Sequence, residues 1–343
     1  MLDTVGELAL QIAGRVGIPL ETATRLAERA WDAIQASSRP GYRFVPLPDG
    51  EPEITEESAR AACDSFLASM PRFSANQFRG RGIVICGGTA RLFTCAWVCI
   101  NMLRRSGCNL PIELWYLGPS ELDRHMATLV SPLGVACVDA LTVRQRHPVR
   151  TLRGWELKPF AILYSSFEDV LLLDADNVPI VNPDFLFDSP AYRTTGAVFW
   201  PNLEQVSREH RMWQVFAVRY RDEPEFETGQ VLVSKRRCWR ALQMTMHLNE
   251  HSDFYYRYFH GDAETFHLAW RYLGEDFALP DRPPERLSGT LCQHDFGGRR
   301  ILQHRNGWKW DDPDVHVEGF AEEDACRALC RLLAEQWPIP SSD

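Results

Sequence analysis

The sharpest chemical signal in the chain is an apolar run that ends in two carboxylates: Val170-Leu171-Leu172-Leu173 leads directly into Asp174-Ala175-Asp176-Asn177. An uninterrupted run of this length reads as a short strand buried on both faces. In open α/β sheets ligands bind outside the carboxyl ends of the strands. Carboxylates two residues apart at that edge can both reach one hard cation, which takes oxygen ligands and completes its shell with water and phosphate oxygens. The alternative for a bare Asp-x-Asp is a turn in which a carboxylate caps a backbone amide. Gly87-Gly88-Thr89 follows an earlier apolar run, residues 83–86, and could bring backbone close to a nucleotide. It lacks the G-x-G-x-x-G spacing, so a dinucleotide site is not expected. His247 and His251 share one helix face, but without a carboxylate partner in the pattern they read as structural.

The elements that must hold these residues follow from periodicity. Short apolar strands at 83–86, 112–117, 135–138 and 170–173 alternate with helical segments at 93–105, 121–130 and 158–165, as βαβ units with a parallel sheet require. Further strands are expected at 197–200 and 231–234, with helices at 236–250, 262–273 and about 322–336. A loop rich in Pro and Asn follows Asn177. Upstream, residues 1–38 pattern as two helices broken at Gly17-Ile18-Pro19, a Pro-rich link spans 39–52, and Thr55-Glu56-Glu57 opens another helix with a hydroxyl cap and an acidic first turn. The expected organisation is a helical appendage over 1–75 and one α/β domain over 76–343 that ends in a C-terminal helix.

Composition narrows the function classes. The 343 residues carry 37 basic and 46 acidic side chains, a formal charge of −9, with no dense basic stripe, so a nucleic-acid partner is not expected. No apolar stretch is long enough to span a membrane. No basic segment followed by an apolar one opens the sequence, so no signal peptide is expected. The ten cysteines form no CxxC and no zinc pattern. They read as reduced core thiols, and the expected location is cytoplasmic.

Longer stretches around the two aspartates carry a family resemblance. Gly154-Trp155-Glu156-Leu157-Lys158-Pro159-Phe160-Ala161-Ile162-Leu163, then Phe167-Glu168-Asp169 and the strand through Asn177, is similar to the signature of the fungal Mnn1-type α-mannosyltransferases, glycosyltransferase family 71. Leu103-Arg104-Arg105-Ser106-Gly107-Cys108-Asn109-Leu110-Pro111-Ile112-Glu113 upstream, and residues 196–201 and Glu227-Thr228-Gly229-Gln230 downstream, resemble the same family, over roughly residues 80–310. The resemblance implies a GT-A fold, which is Rossmann-like with a mixed central sheet flanked by helices. It also implies a sugar-nucleotide donor, usually GDP-mannose, a divalent metal (Mn2+ or Mg2+), and transfer of a hexose with retention to a glycan or small-molecule hydroxyl acceptor.

On that reading Asp176 is the first metal ligand, and Asp174 binds the ribose or the metal. His304, in Gln303-His304-Arg305, resembles the third ligand of related retaining transferases, with His294 as its rival. Lys309 and Lys158 approach the donor, as does the backbone of Gly87, Gly88 and Thr89. Glu227 or Gln230 faces the sugar, and Asp262, in Gly261-Asp262-Ala263-Glu264, resembles a helix start that holds sugar hydroxyls. The expected function is thus a metal-dependent glycosyltransferase, most readily a retaining α-mannosyltransferase. The alternatives are the same fold using a UDP-hexose and a sugar-1-phosphate nucleotidyltransferase.

Overall fold

A computed structural model describes residues 54–259, 261–307, 309–310 and 315–337. The two helices expected within 1–38 lie outside the described residues.

The apolar runs identified in the sequence become the middle of a six-stranded sheet in the order β3-β2-β1-β4-β7-β6. Its strands are β1 (Arg81–Cys86), β2 (Ile112–Tyr116), β3 (Val135–Asp139), β4 (Asp169–Asp174), β6 (Ala197–Pro201) and β7 (Phe226–Ser234). Alternate residues point to opposite faces. Val84, Val170, Leu172, Val231 and Val233 therefore fill one core, and Ile83, Ile85, Leu171, Leu173 and Leu232 fill the other. Helices α4 (Leu157–Tyr164), α5 (Lys235–Glu250) and α6 (Asp262–Leu273) supply the first core. Helices α2 (Ala90–Arg105), α3 (Arg124–Val130) and α7 (Glu323–Gln336) cover the second, and α2 is tied to α7 by the Trp97 indole N–H donating to the Leu329 carbonyl at 3.0 Å. Two covered faces explain why the strands read as continuous apolar runs.

Strand direction sets the site. β1 to β4 are parallel, with Cys86 opposite Asp174, while β7 runs antiparallel to both β4 and β6. The sheet is therefore mixed, in agreement with the GT-A expectation. Because β7 enters where β4 leaves, Leu173 pairs with Gln230, and residues 227–229 arrive at the edge that carries Asp174.

The segment after Asp176, expected as a loop, instead begins a second sheet. β5 (Asn177–Pro179), β10 (Arg300–His304), β9 (Thr290–His294) and β8 (Glu285–Leu287) pair antiparallel in the order β5-β10-β9-β8. Residues 285–304 carried no element in the sequence reading. β5 and β8 are only three residues long, too short for a periodic signal.

Of the expected appendage, residues 54–75 are described. Thr55 caps α1 (Glu56–Ser69) in a capping box with Ser58. Ala59 and Cys63 of α1 are buried in the first core, and Tyr272 donates to Asp64 at 2.6 Å.

Candidate active site

Asp174 is the last residue of β4, and Asp176 follows two residues later, buried, in the turn immediately before β5. Register brings the third group. β10 pairs with β5 so that His304 stands opposite Asn177, and the Arg305 N–H donates to the Asp176 carbonyl at 3.0 Å. His304 Nε2 lies 3.1 Å from Asp176 Oδ1 and 3.7 Å from Asp174 Oδ2. On its other side, Nδ1 lies 3.4 Å from Glu227 Oε1. That carboxylate also accepts from the Gly229 N–H at 2.6 Å. The ring packs so tightly on the β7 backbone that a Cβ at Gly229 would come within 2.5 Å of His304 Nδ1.

Two ammonium groups complete the cluster. Lys158, from the first turn of α4, donates to Asp174 at 2.9 Å and lies 3.4 Å from Asp262 Oδ2. Asp262, at the start of α6, accepts from the Thr228 hydroxyl at 2.7 Å. Lys309 pairs with Asp176 Oδ2. Asn177, quoted in the sequence motif but given no role there, donates through Nδ2 to the Gly229 carbonyl at 2.6 Å and to Gln230 Oε1 at 3.0 Å. It thereby locks β5 to β7. Gln230 is fully buried, and its Nε2, like Asn177 Oδ1, has no hydrogen-bond partner.

The electrostatics follow from this packing. Burial alone would raise the Asp176 carboxyl, but His304 and Lys309 hold it well below the usual carboxylate range. Burial would likewise raise Glu227, and His304 and the Gly229 N–H lower it. Burial opposes protonation of His304 and Lys158, yet Asp176 and Glu227 hold the imidazole well above its ordinary value, and Asp174 and Asp262 do the same for the ammonium. For Asp262 burial prevails over Lys158, and its carboxyl is raised.

The donor set fits a divalent cation. The ligand atoms of Asp174, Asp176 and His304 all lie within 4.8 Å of one another. Two carboxylates and an imidazole suit manganese or a similar ion. With all four carboxylates ionised and His304 neutral, Asp174, Asp176, Glu227 and Asp262 against Lys158 and Lys309 leave two negative charges, the charge one such ion neutralises. Glu227 stands behind the histidine as carboxylates do behind metal-bound imidazoles.

The other expected site residues divide. Gly87, Gly88 and Thr89 follow β1 beside Asp174, with Gly87 packed against Ala175. Thr89 also caps α2, its hydroxyl accepting from the Leu92 N–H at 3.5 Å. His294 is buried on β9 and faces Glu285 at 3.9 Å; the histidine beside the aspartates is His304. His247 and His251, read as lacking a carboxylate partner, have Glu250 beside them, with His247 Nδ1 3.8 Å from its Oε1. His247 stacks on Phe66 at 4.4 Å, which ties α5 to α1.

A family model described as "Mannosyltransferase putative" matches residues 80–225 and 218–294. The α-1,2-mannosyltransferase MNN24 of Candida albicans is 29% identical over 270 residues, covering 65% of this chain and 38% of its own length. MNN2 of Saccharomyces cerevisiae, also an α-1,2-mannosyltransferase, is 24% identical over 274 residues, covering 66% and 46%. The chain thus spans less than half the length of these relatives. Solved structures with a partial likeness include the glycosyltransferase GlyE of Streptococcus pneumoniae TIGR4, with TM-score 0.41, 11% identity and coverage of 59% of this chain and 46% of that one. The galactosyltransferase LgtC, in complex with donor and acceptor sugar analogues, gives TM-score 0.38, 12% identity and coverage of 55% and 70%.

Proposed function

The chain belongs to this mannosyltransferase family, and from that premise we propose that it is a metal-dependent glycosyltransferase that moves mannose from GDP-mannose to a hydroxyl acceptor with retention. The observation that carries the reading is the convergence of Asp174, Asp176 and His304 within 4.8 Å, with Lys158 and Lys309 on the same carboxylates. The α-1,2 linkage in the relatives' names is the one proposed for the product.

When bound by Asp174, Asp176 and His304, a divalent cation would supply charge neutralisation for the departing diphosphate. Lys158 and Lys309 add N–H donors held at the same edge, strongest where charge develops as the glycosidic bond breaks. Thr228 and Asp262 keep Lys158 in place, and Glu227 keeps His304 in place. With the Glu227 carboxylate engaged by Gly229 and His304, we assign retention to a front-face route. The acceptor oxygen bonds the anomeric carbon on the side from which the diphosphate leaves, and a leaving phosphate oxygen takes the acceptor proton. Gln230 is fully buried and braces Asn177 rather than lining the open edge of the site.

Product analysis with GDP-mannose, manganese and α-linked mannobiose tests this. GDP together with a new α-linked mannoside is expected. A β-linked product overturns retention, and undiminished turnover in EDTA overturns the metal. Turnover of a UDP-hexose but not GDP-mannose overturns the donor, and pyrophosphate release from a nucleoside triphosphate overturns the reaction class. We also propose a reducing compartment such as the cytoplasm, on the reading of the ten cysteines as reduced core thiols. Thiol titration of the denatured, unreduced protein should count about ten.

A further inference from the structure

Trp155 is 54% exposed, the most exposed large apolar side chain among the described residues. The backbone under it is fixed on every side. The neighbouring Glu156 is buried, and its two oxygens accept from the Gly154 N–H at 2.8 Å and from the Ser252 hydroxyl at 2.7 Å. The Leu157 N–H donates to the Gly154 carbonyl and the Lys158 N–H to the Trp155 carbonyl, both at 3.0 Å. The indole lies across Gly261, where a Cβ would come 3.0 Å from its Cε3 and 3.3 Å from its Cδ2 and Cζ3. Only glycine lets the ring rest this close to the backbone. Tyr256 supports it from the side, with ring centroids 6.0 Å apart at 55°.

The two elements that grip the indole also carry the site. Three residues after Trp155 comes Lys158, directly after Gly261 comes Asp262, and these two side chains meet at 3.4 Å. An aromatic surface fixed at this position and left open to solvent has no structural reason to be tryptophan. It carries no charge to attract a diphosphate, and its electron-rich face suits the C–H face of a pyranose. A rigid aromatic also offers large contact area at little conformational cost.

We propose that Trp155 is an acceptor subsite, an aromatic platform at the edge of the catalytic cluster on which a pyranose ring of the carbohydrate acceptor stacks. The proposal rests on the glycosyl-transfer reading above.

The test uses the full chain, Trp155→Ala and Trp155→Phe, with binding of α-linked mannobiose and of GDP each measured by calorimetry, and urea unfolding to establish that the variants fold. Trp155→Ala should weaken mannobiose about tenfold, or roughly 1.4 kcal/mol. Trp155→Phe should recover most of this, and GDP affinity should stay within about twofold in both. Unchanged mannobiose affinity in Trp155→Ala, or no mannobiose binding by the wild type, overturns the proposal. So does an equal loss of GDP affinity, which would assign the ring to the nucleobase. Transfer from GDP-mannose by the wild type is measured separately, so failure of the functional reading is seen independently of mannobiose binding.

Discussion

Replacing Asp176 by Asn keeps the side-chain shape while removing one charge and one ligand. In the wild type its two oxygens face His304 Nε2 at 3.1 Å and the Lys309 ammonium. The substitution lowers the excess negative charge of the cluster from two to one and leaves two of the three ligating side chains. Loss of a group that merely orients a metal ligand costs about 10–100-fold in affinity, so loss of the ligand itself should cost at least about 100-fold. Manganese at one hundred times its wild-type dissociation constant should stabilise the wild type by about 2.7 kcal/mol. At the same concentration a hundredfold weaker site gains only about 0.4 kcal/mol by the same relation. The metal-free baseline should move less, because Asp174 at 3.7 Å and Glu227 at 3.4 Å still face His304. Urea unfolding followed by tryptophan fluorescence, with manganese and with EDTA, measures both increments. An Asp176→Asn protein that keeps the full manganese increment would falsify the assignment of this carboxylate to the cation.

Glu227→Gln should weaken manganese binding about 10–100-fold, through loss of the charge behind His304; unchanged affinity in a titration would remove Glu227 from that role. Lys158→Met takes away the cation between Asp174 and Asp262, both partly or fully buried, and should destabilise the metal-free protein by about 3–5 kcal/mol. A loss under about 1 kcal/mol in urea unfolding would mean the pair is not held together by this lysine. Lys235 is buried, with its ammonium over the Phe78 ring at 4.0 Å and donating to the Ser165 carbonyl at 2.7 Å, and burial pushes its pKa down to about 6. The unfolded chain therefore binds more protons between about pH 6 and the ordinary lysine value of about 10.4, so this group's contribution to stability rises with pH across that window. Lys235→Met should flatten that rise, and an unchanged pH profile of unfolding would contradict the burial argument.

What could be read from the sequence was what lies close along the chain. Leu171 to Asp176 sit on one strand and its exit, so apolar run and carboxylates appear together in the text of the protein. The acidic opening of α6 marked Asp262 in the same local way. The gathering of these groups depended on strand direction. Glu227 reaches the edge that carries Asp174 because β7 is antiparallel, and the four residues at 231–234, all that was expected of that strand, say nothing about its direction. His304 was found only through resemblance, since its position depends on a second sheet built from three- and five-residue strands whose partners are distant. The matched family region ends at residue 294, before both His304 and Lys309. Trp155 was visible as a residue type, but exposure is a tertiary property, and a tryptophan beside an apolar helix reads equally well as core.

The pairing of β10 with β5 also orders events in time. Asp176 and His304 are 128 residues apart, and the contact between them closes nearly everything in between into one loop. Loops of that length form slowly, because their closure entropy must be overcome before the contacts within them repay it. During synthesis the two aspartates emerge with the first βαβ units, long before the histidine that completes their set, so a half-made chain carries a carboxylate pair with no imidazole. An ion caught by all three groups would then act as a clasp on the finished loop. Because the ion binds the closed arrangement and not the open chain, such a clasp stabilises the loop by an amount that grows with the ion's concentration relative to its dissociation constant. The metal-loaded protein should accordingly open, and expose its C-terminal sheet to proteases, far more slowly than the same chain stripped by a chelator.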